Sequence, residues 1–463
     1  MSGRNNSTPS SVLCSISIYF KEIISKISLN STLSLQFVLE QSERMWVNMA
    51  TIKPFKAIRP APHLADKVAS LPYDVVNSEE ARELVKGNSY SFLHVDRSEV
   101  DLDPSINLYD KIVYQKAKEN FDKMLKEGVL IKDTEDYYYI YREIMDGRIQ
   151  VGLVATACVD DYLNGIIKKH ELTLPEKEED RINHMDYCDA HTSPVFLTYK
   201  ANQEIKDLLS SWVRGKNPIY DFVSDDGIRH TVWVINDRSL IDRITSIFKG
   251  IDYLYIADGH HRSAASVKIG LKRRQQHPSY DGSEEFNYFL SVLVPHDEVH
   301  IMAYNRVVKD LNGYSEEEFI DKVKEKFIVE NYENKGPFNP TEKHTFGMYL
   351  SGRWYKLTAK ESTFDSTDPI DRLDVSILQK NLLDPILGIK DPRRDKRIDF
   401  VGGIRGLEEL ERRVKTNMKV AFSIFPTTVD DLIAVADAGK IMPPKSTWFE
   451  PKLRSGLFVH ELK

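Results

Sequence analysis

The residues best suited to chemistry lie in one short run, Ile256-Ala257-Asp258-Gly259-His260-His261-Arg262. An apolar stretch, Tyr253 to Ala257, reads as a buried strand, and a helical pattern runs from the turn to about Gln276. The first N–H groups of a helix lack intrahelical partners and sit at the positive end of its dipole, so such a junction suits phosphate. Gly259 lets the backbone approach a ligand, while His260, His261 and Arg262 add donors. Asp258 is placed as a base or as a ligand to Mg²⁺. A plainer reading stands beside this one, because Asp-Gly is a common turn and Asp a common helix cap. A zinc site is a third reading, opposed by the absence of a nearby C-x-x-C or H-x-x-x-H partner.

A second candidate is Lys168-Lys169-His170-Glu171-Leu172-Thr173, followed by Lys177, Asp180 and Arg181. A carboxylate beside a histidine among basic residues can act as a general base. The alternative is a solvated charge run, since Glu176 to Arg181 is mostly charged. Position 174 is Leu, so this is not the H-E-x-x-H zinc motif. Arg59, Lys177 and Arg181 are candidates, on charge alone, for holding a substrate carboxylate. The glycine run Gly402-Gly403-Ile404-Arg405-Gly406 is not G-x-G-x-x-G and reads as a turn. The rigid, basic and aromatic stretch Pro443 to Lys452 either lines a site or pins the C-terminus to the core. There is no G-x-S-x-G elbow, no Walker lysine and no protein-kinase set.

These residues need elements to position them. Asn77-Ser78-Glu79-Glu80 starts a helix, Tyr90 to Val95 reads as a strand, and residues 108–127 as an amphipathic helix. Asp146-Gly147 and Asp226-Gly227 signal hairpins. Asp237 caps a helix, and Tyr288 to Val294 is an apolar strand. Past Asn312-Gly313 come a helix, a hairpin around Ser351-Gly352, and further strand–helix units. The expected fold class is α+β, a mixed sheet core elaborated by hairpins and helices.

At 463 residues the chain is long enough for more than one domain. A net charge of −7 argues against general DNA binding. No apolar run is long enough for a membrane span. Cys14, Cys158 and Cys188 cannot build a disulfide framework, which points to a reducing, cytoplasmic setting. Cys158 lies in a strand pattern and reads as core, whereas Cys188 lies in a polar stretch with reactivity left open. Residues 1–48 are serine-rich, fit a secretory signal poorly, and read as an accessory extension or as sequence upstream of a natural start at Met49.

Pro72-Tyr73-Asp74-Val75, Ser91-Phe92-Leu93-His94-Val95, His170-Glu171-x-Thr173, Asp258-Gly259-His260-His261-Arg262 and Met442-Pro443-Pro444-Lys445-Ser446-Thr447 occur together. The combination resembles the large family called domain of unknown function 1015, from roughly Ile52 onward. Asp-Gly-His-His-Arg also resembles the phosphate-binding box of the ParB/sulfiredoxin fold, whose members include partition proteins, sulfiredoxins and free-serine kinases. The resemblance implies a ParB/sulfiredoxin-like strand–turn–helix phosphate site in a core of residues 49–312, with 313–463 as a C-terminal α+β domain. It implies a nucleotide-dependent kinase acting on a small hydroxyl substrate, with free L-serine the leading acceptor. Glu171 and Asp258 would be catalytic, and Gly259, His260, His261 and Arg262 would bind phosphate. His170, Thr173, Lys177, Arg181, Asp74 and Lys445 would support the substrate. ATP or ADP would be the donor, with Mg²⁺ near Asp258. The competing implications are a nucleotide-binding regulator and a phosphatase of a phosphorylated metabolite.

Overall fold

Asp146 and Gly147 both adopt positive φ (50° and 77°), the geometry a tight turn between right-twisted strands requires. They join Tyr138–Met145 to Arg148–Cys158, the central hairpin of a nine-stranded mixed sheet. The computed structural model describes residues 49–463; the segment 1–48, and Cys14 with it, lies outside the described residues. On one side of the hairpin, Tyr138–Met145 pairs with Arg229–Ile235, whose own hairpin turns at Asp226-Gly227. On the other side, Arg148–Cys158 pairs antiparallel with Tyr288–Pro295, which runs parallel to Val195–Tyr199. Then comes Leu254–Asp258, antiparallel to Val195–Tyr199, and at the edge the two-residue strand Ile167–Lys168, parallel to Leu254–Asp258. The mixed α+β architecture expected from the sequence is present.

A second, six-stranded sheet is antiparallel throughout. Its first strand, Tyr304–Val308, precedes Asn312-Gly313. The two sheets share one apolar core: Tyr139, Val292 and Phe196 of the first and Val308, Met348 and Phe422 of the second belong to the same buried cluster. The C-terminal strands cross back, with Trp448–Glu450 pairing with His300–Met302 and His460–Glu461 with Ala190–His191.

Two expectations are corrected. Tyr90 to Val95 is not a strand: Leu93–Asp96 is a helical turn. The Ser91 hydroxyl accepts the Leu93 N–H at 3.3 Å, a local bond that competes with extension. The turn aims Asp96 inward, where its carboxylate accepts from Thr192 (2.7 Å) and Ser193 (2.5 Å). Glu176 to Arg181 is solvated only in part: it belongs to the helix Pro175–Cys188, with Glu176, Lys177 and Glu179 exposed but Glu178 and Arg181 buried. The Arg181 guanidinium lies 3.8 Å from the Tyr73 ring centroid and pairs with Asp180. Cys188 is buried on that helix, and its thiol is pushed well up by desolvation, so it is no reactive thiolate. Among the described residues no helix is long and apolar enough to cross a membrane.

Candidate functional site

The strand Leu254–Asp258 is buried until Asp258, and the helix His260–Gln276 follows after a single residue. Gly259 makes that reversal at φ +93°, a left-handed conformation that disfavours a side chain. The expected strand–turn–helix is therefore in place. The parallel pairing of Leu254 with Ile167 and Tyr255 with Lys168 has a direct consequence. Parallel strands end on the same side of a sheet, so the segment after Lys168 emerges beside the segment after Asp258. Residues 90 positions apart thus meet: the His170 N–H donates to His260 Nε2 at 3.4 Å. Glu171 Oε2 lies 3.8 Å from His260 Nδ1, and the Leu174 N–H donates to His261 Nε2 at 3.0 Å.

These contacts assign the charge states. Each histidine accepts a backbone N–H at Nε2, so each carries its proton on Nδ1. Burial lowers both pKa values, and His260 is lowered further by the neighbouring His170, His261 and Lys169. They are neutral donors rather than cations. His170 is buried edge-on against His260 at 4.4 Å and is pushed down to about 4 by desolvation, with both ring nitrogens unpartnered.

The two carboxylates are driven apart. Glu171 leaves 41% of its side chain exposed, yet the walls crowd its carboxyl. Desolvation is the main cause of its raised pKa; Asp258 and Asp74 add to it, and Lys445 and Lys177 oppose it. Burial pushes Asp258 up as well, but Lys452 and Arg262 overcome it and hold the acid below its ordinary value. Lys452 Nζ lies 3.8 Å and Arg262 Nη2 3.1 Å from Asp258 Oδ2. One cleft therefore pairs a carboxylate raised above its ordinary value with one held below it.

That cleft has a volume of about 410 Å³. Its floor is Asp258, Gly259, His260 and His261, with Glu171 and Lys177 on one wall and Asp74 beside them. The rest of its lining comes from distant chain: Tyr304, Phe400, Gly402, Arg405, Arg413, Lys445, Trp448 and Lys452. The stretch Pro443 to Lys452 thus both lines the cleft and, through Trp448–Glu450, is tied into a strand pair. Gly402 is needed for this closure, because a Cβ there would stand 2.8 Å from the Trp448 ring.

Other expected site residues lie elsewhere. Arg262 does not line the cleft: its buried guanidinium donates to the Pro194 carbonyl and to Asp258, bracing the carboxylate from behind. Thr173 donates to Glu178 Oε2 at 2.7 Å, and Arg181 lies under Tyr73. Arg59 is committed to Asp133 at 2.8 Å, away from the cleft. Trp448 and Lys452 fall in the stretch Pro443 to Lys452 already noted, Arg405 in the glycine run read as a turn, and Arg413 and Tyr304 are site residues that sequence reasoning did not single out. Among the described residues, no three His, Cys, Asp or Glu side chains form a ready-made metal cluster.

A sequence profile for the family described as protein of unknown function (DUF1015) matches residues 52–376. No curated protein matches. Among solved structures, a free serine kinase variant in complex with AMP is similar at 13% identity and a TM-score of 0.35, covering 69% of this chain and 94% of that one. SbnI with a C-terminal truncation, from Staphylococcus aureus, is similar at 12% identity and a TM-score of 0.35, covering 66% and 87%. A conserved hypothetical protein from Pyrococcus furiosus is similar at 14% identity and a TM-score of 0.32, covering 67% and 95%.

Proposed function

Because this chain belongs to the DUF1015 family, whose description assigns no activity, its cleft has to speak for itself, and we propose that it transfers a phosphoryl group from a nucleotide to a small hydroxyl substrate. The observation that carries the reading is the meeting of Glu171 with the Asp258–His261 helix start in one cation-lined cleft, with the two acids shifted in opposite directions. Phosphoryl transfer asks for positioning and charge neutralisation, and little covalent chemistry from the protein. The helix N-terminus and the Nδ1–H groups of His260 and His261 supply neutral donors to phosphate oxygens. Lys177, Lys445, Lys452 and Arg405 supply the positive field.

In this reading Glu171 accepts the proton of the acceptor hydroxyl as that oxygen bonds to the terminal phosphorus. The phosphorus–oxygen bond to the rest of the donor breaks, and the shortened nucleotide leaves carrying the negative charge. Free L-serine is the acceptor the motif resemblance favours; its carboxylate would fit the cationic wall at Lys177 and Arg405, and its ammonium Asp74. The ionised Asp258 suits Mg²⁺, which binds through one or two carboxylates plus phosphate oxygens and needs no preformed protein cage. When bound, Mg²⁺ would neutralise charge on the phosphates.

The test is nucleotide-dependent formation of phosphoserine by the purified protein with ATP and ADP as donors. Glu171→Gln and Asp258→Asn are expected to abolish most of it. Full activity in both variants, or nucleotide binding with no turnover over hours, refutes the proposal. Phosphate release from phosphoserine without nucleotide would replace it with a phosphatase.

A further inference from the structure

A second cavity, of about 440 Å³, adjoins the cleft. The two share Tyr73, Asp74, Val75, Lys177 and Arg405 along a common wall. Together they are far larger than a three-carbon acceptor and its phosphoryl group require, so a long ligand has to account for the rest.

Charge decides which end of such a ligand goes where. In the cleft, cations outnumber carboxylates. In the second cavity Arg97 is paired with Glu99 at 3.1 Å and Arg181 with Asp180 at 2.6 Å, while Glu80 and Asp96 add further negative charge. The balance of lining charge favours a polyphosphate in the first space over the second. Aromatic surface decides the other end. In the cleft the rings are already covered: Lys452 lies 5.1 Å from Trp448, Lys445 5.4 Å from Tyr304, and Arg306 5.1 Å from Phe400. Tyr109, in the second cavity, is engaged by no aromatic ring or cation among the described residues. It is 43% exposed and adjoins Leu108, itself 39% exposed. A flat face of this kind beside acceptor carboxylates suits a nucleobase with its ribose.

We infer that the second cavity is the nucleoside pocket of the phosphoryl donor: the base lies against Tyr109 and Leu108, and the phosphates run past Asp74, Lys177 and Arg405 to the helix start at His260. The inference rests on the nucleotide reading of the cleft, but it concerns binding and survives if turnover fails.

Calorimetry on the full chain separates the two. ATP, ADP and inorganic tripolyphosphate are titrated into the native protein, Tyr109→Ala and Tyr109→Phe. Loss of one base-stacking ring is expected to weaken ATP and ADP by about 5- to 150-fold. Tyr109→Phe retains nucleotide affinity, and tripolyphosphate binds all three proteins equally. Unchanged nucleotide affinity in Tyr109→Ala overturns the pocket and leaves the phosphate cleft standing. An equal loss for nucleotides and tripolyphosphate also overturns it, because the ring then acts through the phosphate site. Failure of all three ligands to bind the native protein refutes the cleft and the pocket together. An azido-adenine nucleotide should photolabel residues 108–114; labelling at Tyr304 or Trp448 instead would move the base and defeat the inference.

Discussion

Gly259→Ala tests how the turn holds Asp258. The glycine sits at φ +93°, where a residue with a Cβ is strained by about 1–2 kcal/mol. The added Cβ would stand 3.0 Å from Arg262 Nε and 3.1 Å from its Cζ, closer than ordinary contact. The guanidinium has nowhere free to go, because Arg262 is buried and bonded to the Pro194 carbonyl and to Asp258. Losing one such charged hydrogen bond costs about 1.5–3 kcal/mol. The two terms sum to about 2.5–5 kcal/mol, a large part of the ~5–15 kcal/mol that holds a typical domain folded. Denaturant unfolding of native protein, Gly259→Ala, Arg262→Ala and the double variant isolates the second term. With Arg262 truncated, Gly259→Ala should cost only the backbone strain, so the cycle should give a coupling of about 1.5–3 kcal/mol. Additive losses would refute the claim that the glycine is kept to make room for the guanidinium.

Four further outcomes follow from the geometry. Glu171→Gln should lower phosphoryl transfer by about 10²–10⁴-fold while calorimetry finds nucleotide affinity retained. Because Glu171 is raised and must be ionised to act, kcat/KM should fall with decreasing pH along a limb above the usual glutamate range; a limb at the ordinary value would contradict its role. Glu143, fully buried between Tyr141 and Gln150, is pushed up to about 8 by desolvation from 4.5. The folded protein keeps a proton there that the unfolded chain releases, so this group makes stability fall as pH rises from 4.5 to about 8, by at most about 1.4 kcal/mol per pH unit. Unfolding of Glu143→Gln should lose that contribution to the slope; an unaltered slope would place the proton elsewhere. Chelation of divalent cations should stop turnover reversibly yet leave the thermal midpoint of the nucleotide-free protein unchanged, as expected where no ready-made metal cluster exists among the described residues.

Local signals were legible in the sequence. Asp146-Gly147, Asp226-Gly227 and the Asp258-Gly259 turn each place a glycine at positive φ, and each turn is where the pattern put it. Tyr90 to Val95 misled because Phe92, Leu93 and Val95 are buried by a helical turn, and so short an apolar run fits either geometry. Within Glu176 to Arg181, the buried Glu178 and Arg181 misled because a charged sequence does not reveal its partners. Arg181 is tolerated inside only because Asp180 and the Tyr73 ring neutralise and cover it, and Tyr73 lies more than a hundred positions upstream.

The cationic wall was illegible for a different reason. The stretch around Lys452 left two readings open and Arg405 and Arg413 gave no signal, because their place depends on where the second sheet lies against the first. The strand pair of Trp448–Glu450 with His300–Met302 sets Lys452 against Asp258, and the pair of Tyr304–Val308 with Ile398–Gly402 carries Phe400 and Gly402 to the cleft. The same logic explains how Glu171 reaches Asp258. The chain from Leu172 to Tyr253 makes a helical excursion, adds three strands to the sheet, and returns parallel to where it left. An insertion that ended in an antiparallel return would have delivered Asp258 to the opposite end of the strand. The two-residue parallel pairing at the sheet edge, rather than the motif itself, is what makes the two acids neighbours, and a substitution that removed its donor, such as Lys168→Pro, should separate them while leaving Glu171 and the Asp258 motif intact in sequence.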